Sequence, residues 1–266
     1  MPDEHLSIRP AAVAGLFYSD DPEQLRADIL HYLKGASRSA NTPPKAIIVP
    51  HAGYVYSAEV AASAYAQLEP LAQKIKHVIL LGPSHRLAFR GIATPNADAF
   101  ATPLGRVKIN RQLCHTAEQF DFVQAIPAAH AQEHSLEVQL PFLQTLLADF
   151  DLTPLVVGDC SAADVARVLD TLWGNDDTLI VISSDLSHYH NYEVARRLDA
   201  NTSRAIEQLQ PENISYDDAC GRTPVNGLLT LAKHKQLQID TLDLRNSGDT
   251  AGSKDRVVGY GAYAVH

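Results

Sequence analysis

Five short runs rich in Val, Ile and Leu (KAIIVP, KHVILLGP, LTPLVVG, DTLIVISS and the closing VVGYGAYAV) are separated by stretches whose apolar residues recur every three or four positions. Unbroken apolar runs of this length read as strands buried on both faces, and such strands require helices above and below them. The pattern predicts an α/β fold, a mixed β-sheet flanked by helices on both sides. From Asp21 the chain reads Asp-Pro-Glu and then places Leu25, Ile29 and Leu33 on one face before Gly35, a helix with a marked start and stop. Leu136, Leu140, Leu143 and Leu147 mark a second helix, Val165, Val168, Leu169 and Leu172 a third, and the segment from Tyr192 to Leu209 a fourth. No internal repeat or Gly/Ser linker divides the chain, so residues 1–266 read as a single domain. The polar stretches GASRSANTPP and RNSGDTAGSKD read as loops, the second long enough for a mobile flap.

Composition narrows the partners. With 45% hydrophobic and 20% charged residues, the chain has enough apolar side chains for a sizeable core. Its formal charge of -9, with no Lys/Arg-rich stripe, excludes nucleic-acid binding by phosphate neutralisation. A small-molecule or peptide ligand is expected instead. The charged start MPDEHLSIRP has no secretory core, and no apolar stretch approaches the ~20 residues of a membrane span, so the expected location is the cytoplasm. Cys114, Cys160 and Cys220 form no CxxC pair, so neither a disulfide framework nor a structural zinc knuckle is signalled.

The histidines carry the chemistry by their positions. IIVP runs into His51, ILLGPS into His85, and IVISSDLS into Asp185 and His188, while His134 lies in EHSLEVQLP at the start of a helix. Open α/β sheets place ligands at the carboxyl ends of their strands. Imidazoles delivered there by three separate strands point to metal binding, proton transfer or both.

Other residues have two readings each. Cys220, in DACGRTPVNGLL, precedes a helix and Arg222, which favours a thiolate, and it is equally a small core residue. Asp185 either orients a histidine or caps a helix. Tyr54 either donates a hydrogen bond to a bound substrate or packs as an amphipathic core tyrosine. Glu133 reads as a solvated or capping carboxylate.

In order and separation, PHAGYVYSA, LLGPSH, EHSLEVQLPFLQ, SSDLSHY and ACGRTPVNGLL resemble the Memo family, whose prokaryotic members are also called AmmeMemoRadiSam system protein B. The likeness extends from AGLFYSDDPEQL to GYGAYAV, nearly the whole chain. It implies a fold similar to the LigB-type class III extradiol dioxygenases and a metal held by His51, His85 and Cys220. It also places Asp185 and His188 in the same pocket, His188 as the acid/base group, and His134 in the same cleft. The dioxygenases complete their iron site with a carboxylate, where the Memo pattern has a thiolate. Sulfur is softer and oxidisable, so the implied cofactor is one divalent or redox-active metal ion, iron or copper favoured and zinc possible.

Three functions follow as expectations. The first is a metal-dependent oxidoreductase. The second is a non-catalytic adaptor in which the histidines and Arg222 receive an anionic or peptide ligand, and the third is a zinc hydrolase. The resemblance further implies an AMMECR-like protein and a radical SAM protein as pathway partners.

Overall fold

The computed structural model describes residues 6–38 and 42–266, so the loop expected at 35–44 lies partly outside the described residues, as does the start of the chain at 1–5. Four of the five apolar runs form parallel neighbours in the middle of one twelve-stranded mixed sheet. These are β1 (Ala46–Val49), β2 (His77–Pro83), β3 (Asp151–Val157) and β4 (Thr178–Ser183), in the spatial order β3-β2-β4-β1. The closing run, β5 (Val257–Val265), lies antiparallel beside β1. Short strands extend both edges.

Successive residues of a strand point to opposite faces, and the core divides accordingly. Ile47, Leu80, Val156 and Val181 belong to one cluster, beneath the helices Pro22–Gly35, Tyr54–Tyr65 and Leu140–Leu146. Ile48, Leu81, Leu155 and Ile182 belong to the other, beneath Ala162–Thr171, Tyr192–Glu207 and Arg222–Lys235. Helices therefore cover both faces, as expected.

Local chemistry sets the ends of the helices. Asp21, Ser161 and Asn191 each accept a backbone N–H three residues on, satisfying donors that a helix start leaves free. The helix expected over Leu136 to Leu147 is shorter than its apolar spacing suggests. Glu137–Gln139 form a 3-10 turn, and the α-helix runs Leu140–Leu146 with Pro141 in its first turn, where the missing N–H costs nothing. Part of the loop expected at 245–255 is regular. Arg245 and Asn246 end a strand, Ile239–Asn246, and the next turn is a capping box between Asn246 and Asp249. Tyr192 donates to the Asp249 carboxylate through its hydroxyl and to the Lys254 carbonyl through its amide, pinning the segment to a helix.

Because β1, β2 and β4 are parallel, they end at the same edge. Val49 is level with Ser183 and Leu81 with Ile182, so His51 and Asp185 both lie two residues beyond the pairing and His85 follows close by. Among the described residues no helix is long and apolar enough to cross a membrane.

At Gly227 the helices Ala162–Thr171 and Arg222–Lys235 come close enough that a Cβ would lie 2.3 Å from Val165 Cγ1. Gly227→Ala gains about 1 kcal/mol of helix propensity but overpacks the crossing by about 1–3 kcal/mol. The expected result is a lower urea midpoint with an unchanged slope, read by circular dichroism.

Candidate metal centre

His51, His85 and His134 meet at the rim, each offering a ring nitrogen within 4.8 Å of those of the other two. Their rings are close and crossed: His51 lies 5.1 Å from His85 and 5.5 Å from His134, while His85 and His134 stack at 4.6 Å. His51 is buried and the other two are partly open to a cleft of about 1250 Å³.

Hydrogen-bond partners fix two of the tautomers. Ser183 Oγ gives its one proton to the Ser135 carbonyl at 2.6 Å and accepts from Gln139 Nε2 at 2.9 Å. His51 Nδ1, 2.8 Å from the same oxygen, must therefore donate, which leaves the lone pair on Nε2. His85 Nδ1 lies 2.9 Å from Glu133 Oε1, and an ionised carboxylate only accepts. His85 likewise keeps its lone pair on Nε2. His134 Nδ1 is 3.4 Å from Glu133 Oε1 and, although buried, has no hydrogen bond among the described residues.

Burial works against the ionisation of Glu133, yet hydrogen bonds from the His85 ring and from the His85 and Ser135 amides outweigh it and hold the carboxyl at about 2. The expectation of a capping carboxylate holds, because Glu133 accepts the amides of His134 and Ser135, but it is buried rather than solvated. Burial, then neighbouring imidazoles, lowers His51, and burial takes His134 down to about 4. Both rings are neutral at pH 7, the form that ligates a metal.

Cys220 Sγ stands 3.2 Å from His51 Nε2, beside the imidazole group rather than within it. The lone pair on that nitrogen makes the thiol the donor. A thiolate favoured by the helix start and Arg222 is not what the protein alone holds, since burial first and Asp185 second push the thiol up to about 12. The Arg222 guanidinium lies over the Tyr216 ring at 3.5 Å. Asp185 is buried, and its Oδ1 accepts the backbone N–H of His51 at 2.7 Å, so it braces the end of β1 rather than the His188 ring or a helix start. Burial raises its carboxyl to about 7. His188 lines the cleft from a short strand, His188–His190, paired with β5. Tyr54 belongs to the core: its hydroxyl donates to the Val138 carbonyl at 2.7 Å and is not free for a substrate.

Several supporting groups escaped the sequence reading. Glu137, fully buried, pairs with Arg9 and accepts from the Ala12 and Val13 amides and the Tyr18 hydroxyl. Arg9 also donates to the carbonyls of His130 and Glu133. The segment Arg9–Tyr18 is thus strapped to the turn carrying His134, a contact between residues more than 110 positions apart that no local signal announces.

Three imidazoles, an unpartnered His134 nitrogen and a thiol alongside are the donor set a late first-row ion takes, so the residues fit a metal. Sheet and rim together define an α/β protein with a candidate metal centre at the carboxyl ends of its strands. A family profile described as Memo-like protein matches residues 9–264, and the chain belongs to the Memo family. It is 37% identical to a MEMO1 family protein of Aquifex aeolicus, with 96% of this chain and 98% of the relative covered. To a MEMO1 family protein of Methanobrevibacter smithii it is 36% identical, covering 95% and 98%. Among solved structures, an uncharacterized protein of Escherichia coli K12 shares the fold, with a TM-score of 0.53 at 13% identity over 81% of this chain and 98% of that one.

Acid should unfold the protein through Glu133. Its carboxyl is at about 2 in the fold against an ordinary 4.5, so its contribution is complete above pH 4.5 and lost as pH falls toward 2. At higher pH, His134 and Asp185 oppose each other. Between 6.5 and about 4 the unfolded chain protonates its histidine first, whereas between about 7 and 3.8 the fold holds the extra proton on Asp185. The melting temperature is expected to drop below pH 4.5, and Glu133→Gln, less stable at neutral pH, should show a smaller drop when followed by calorimetry.

Proposed function

We propose that this protein is a metal-dependent enzyme of the oxidoreductase class acting on a small molecule in the cleft. The observation that carries the reading is the convergence of His51, His85 and His134 on one cleft, with the lone pairs of the first two preset by Ser183 and Glu133. These three would hold the ion, with the oxidisable Cys220 sulfur next to His51. Bound there, iron or copper would supply electron exchange and a Lewis acid.

The chain's own groups would do the rest. His188, neutral because burial lowers its pKa, faces the cleft and would take and return a proton at a ring nitrogen. Asp185 keeps His51 in place through the backbone amide. Phe17, Tyr56 and Tyr260 supply apolar wall that removes water from the substrate.

Anaerobic purification followed by metal analysis tests the reading. The expected result is about one iron or copper per chain, with oxygen uptake over a panel of phenols and thiols. His51→Ala with His134→Ala should abolish retention. Ser183→Ala, which frees the His51 tautomer, should weaken it by about 10–100-fold. Zinc with ester or amide hydrolysis and no oxygen uptake would replace this reading with a hydrolase, and no retained metal would replace it with a binding protein.

A further inference from the structure

His188 reaches the cleft along an irregular path. Its strand pairs with β5 at Val258 and Val257, with a bulge between His188 and His190, and Tyr189 has a φ of 63°. A residue with a Cβ adopts that left-handed conformation only where its surroundings impose it. Two backbone bonds hold the preceding residues to β5: Leu186 N–H donates to the Gly259 carbonyl and Gly259 N–H to the Ser187 carbonyl, both at 2.8 Å. The Ser187 amide donates to Asp199 Oδ1 at 3.0 Å.

Asp199, on the helix Tyr192–Glu207, is 2% exposed, and its Oδ2 has no hydrogen-bond partner among the described residues. Burying half a carboxylate unsatisfied is costly, and helix packing alone would be better served by an apolar side chain. The carboxylate lies against Gly259, where a Cβ would stand 2.1 Å from Oδ2 and 2.4 Å from Cγ. Only the absence of a side chain at 259 leaves it room.

We propose that Asp199 is a positioning residue for His188: by holding the Ser187 amide and resting on Gly259, it fixes the turn Leu186–His188 and with it where the imidazole stands in the cleft. The inference rests on the proposed function only in giving His188 a proton to move.

The test compares amide hydrogen exchange and the NMR signals of the His188 ring in wild type, Asp199→Ala, Asp199→Asn and Gly259→Ala. In Asp199→Ala, exchange at Ser187 should rise about tenfold or more, and the His188 ring signals should shift while those of β2 and β3 stay. Asp199→Asn keeps the acceptor and should preserve both. Gly259→Ala displaces the carboxylate by crowding Oδ2 and Cγ and should reproduce the His188 shift with Asp199 present, which keeps the test open if Asp199→Ala fails to fold. Faster exchange at Ser187 with unmoved His188 signals would make Asp199 a structural cap only and overturn the proposal, as would unmoved signals in Gly259→Ala. Turnover is measured on the wild type alone, so an inactive protein whose His188 still moves defeats the functional reading and leaves this one standing.

Discussion

A hydroxyl has one proton to give, and the candidate centre depends on where Ser183 sends its own. Because that proton goes to the Ser135 carbonyl, the oxygen can only accept from Gln139 and His51. Gln139 is held in turn: its Oε1 accepts from the Tyr65 hydroxyl at 2.9 Å, and its Nε2 also donates to the Pro50 carbonyl at 2.9 Å. One polar chain therefore joins the end of β4, the end of β1, the helix Tyr54–Tyr65 and the turn before Leu140. Every member is buried, so each lost bond would leave an unsatisfied group in the core. A one-residue slip of β1 against β4 would break the chain and turn His51 to the other face.

The imidazoles so presented are unequal. His51 leans on a neutral hydroxyl and His85 on an ionised carboxylate. Glu133 is fixed by four donors and by the Arg9 contact to its own carbonyl, so its charge is held still at the point of use. An ionised group that would be costly to bury alone is stabilised because its acceptors are occupied.

The sheet and the rim were legible because their causes are local. Unbroken Val/Ile runs dictate buried parallel strands, and parallel strands bring their ends to one edge, so His51, His85 and Asp185 were bound to be neighbours once the fold class was read. His134 was placed in the cleft but not in the metal group, because its approach is set by a 3-10 turn and a buried Glu137 anchored to Arg9, contacts that span the chain. Tyr54 shows the converse limit. A tyrosine three residues past a rim histidine reads equally as a substrate contact or a core residue, and only the helix beginning there decides it by turning the hydroxyl into the core. Ser183 and Glu133 were in plain view beside the motifs, and their roles emerge only from counting donors against acceptors.

The same counting bears on Cys220. The resemblance grouped it with His51 and His85, whereas the structure groups His134 with them, and the two sets share the lone pair on His51 Nε2. In the protein alone that lone pair accepts the Cys220 S–H at 3.2 Å, and the Asp185 carbonyl, 3.7 Å from the sulfur, is the other acceptor in reach. Anything that takes the Nε2 lone pair must displace the thiol proton. The thiol then either turns to the Asp185 carbonyl, leaving three nitrogens, or loses its proton and stands beside them as a thiolate. Were an ion to take that lone pair, a hard one would leave the sulfur protonated and a soft one would draw it in.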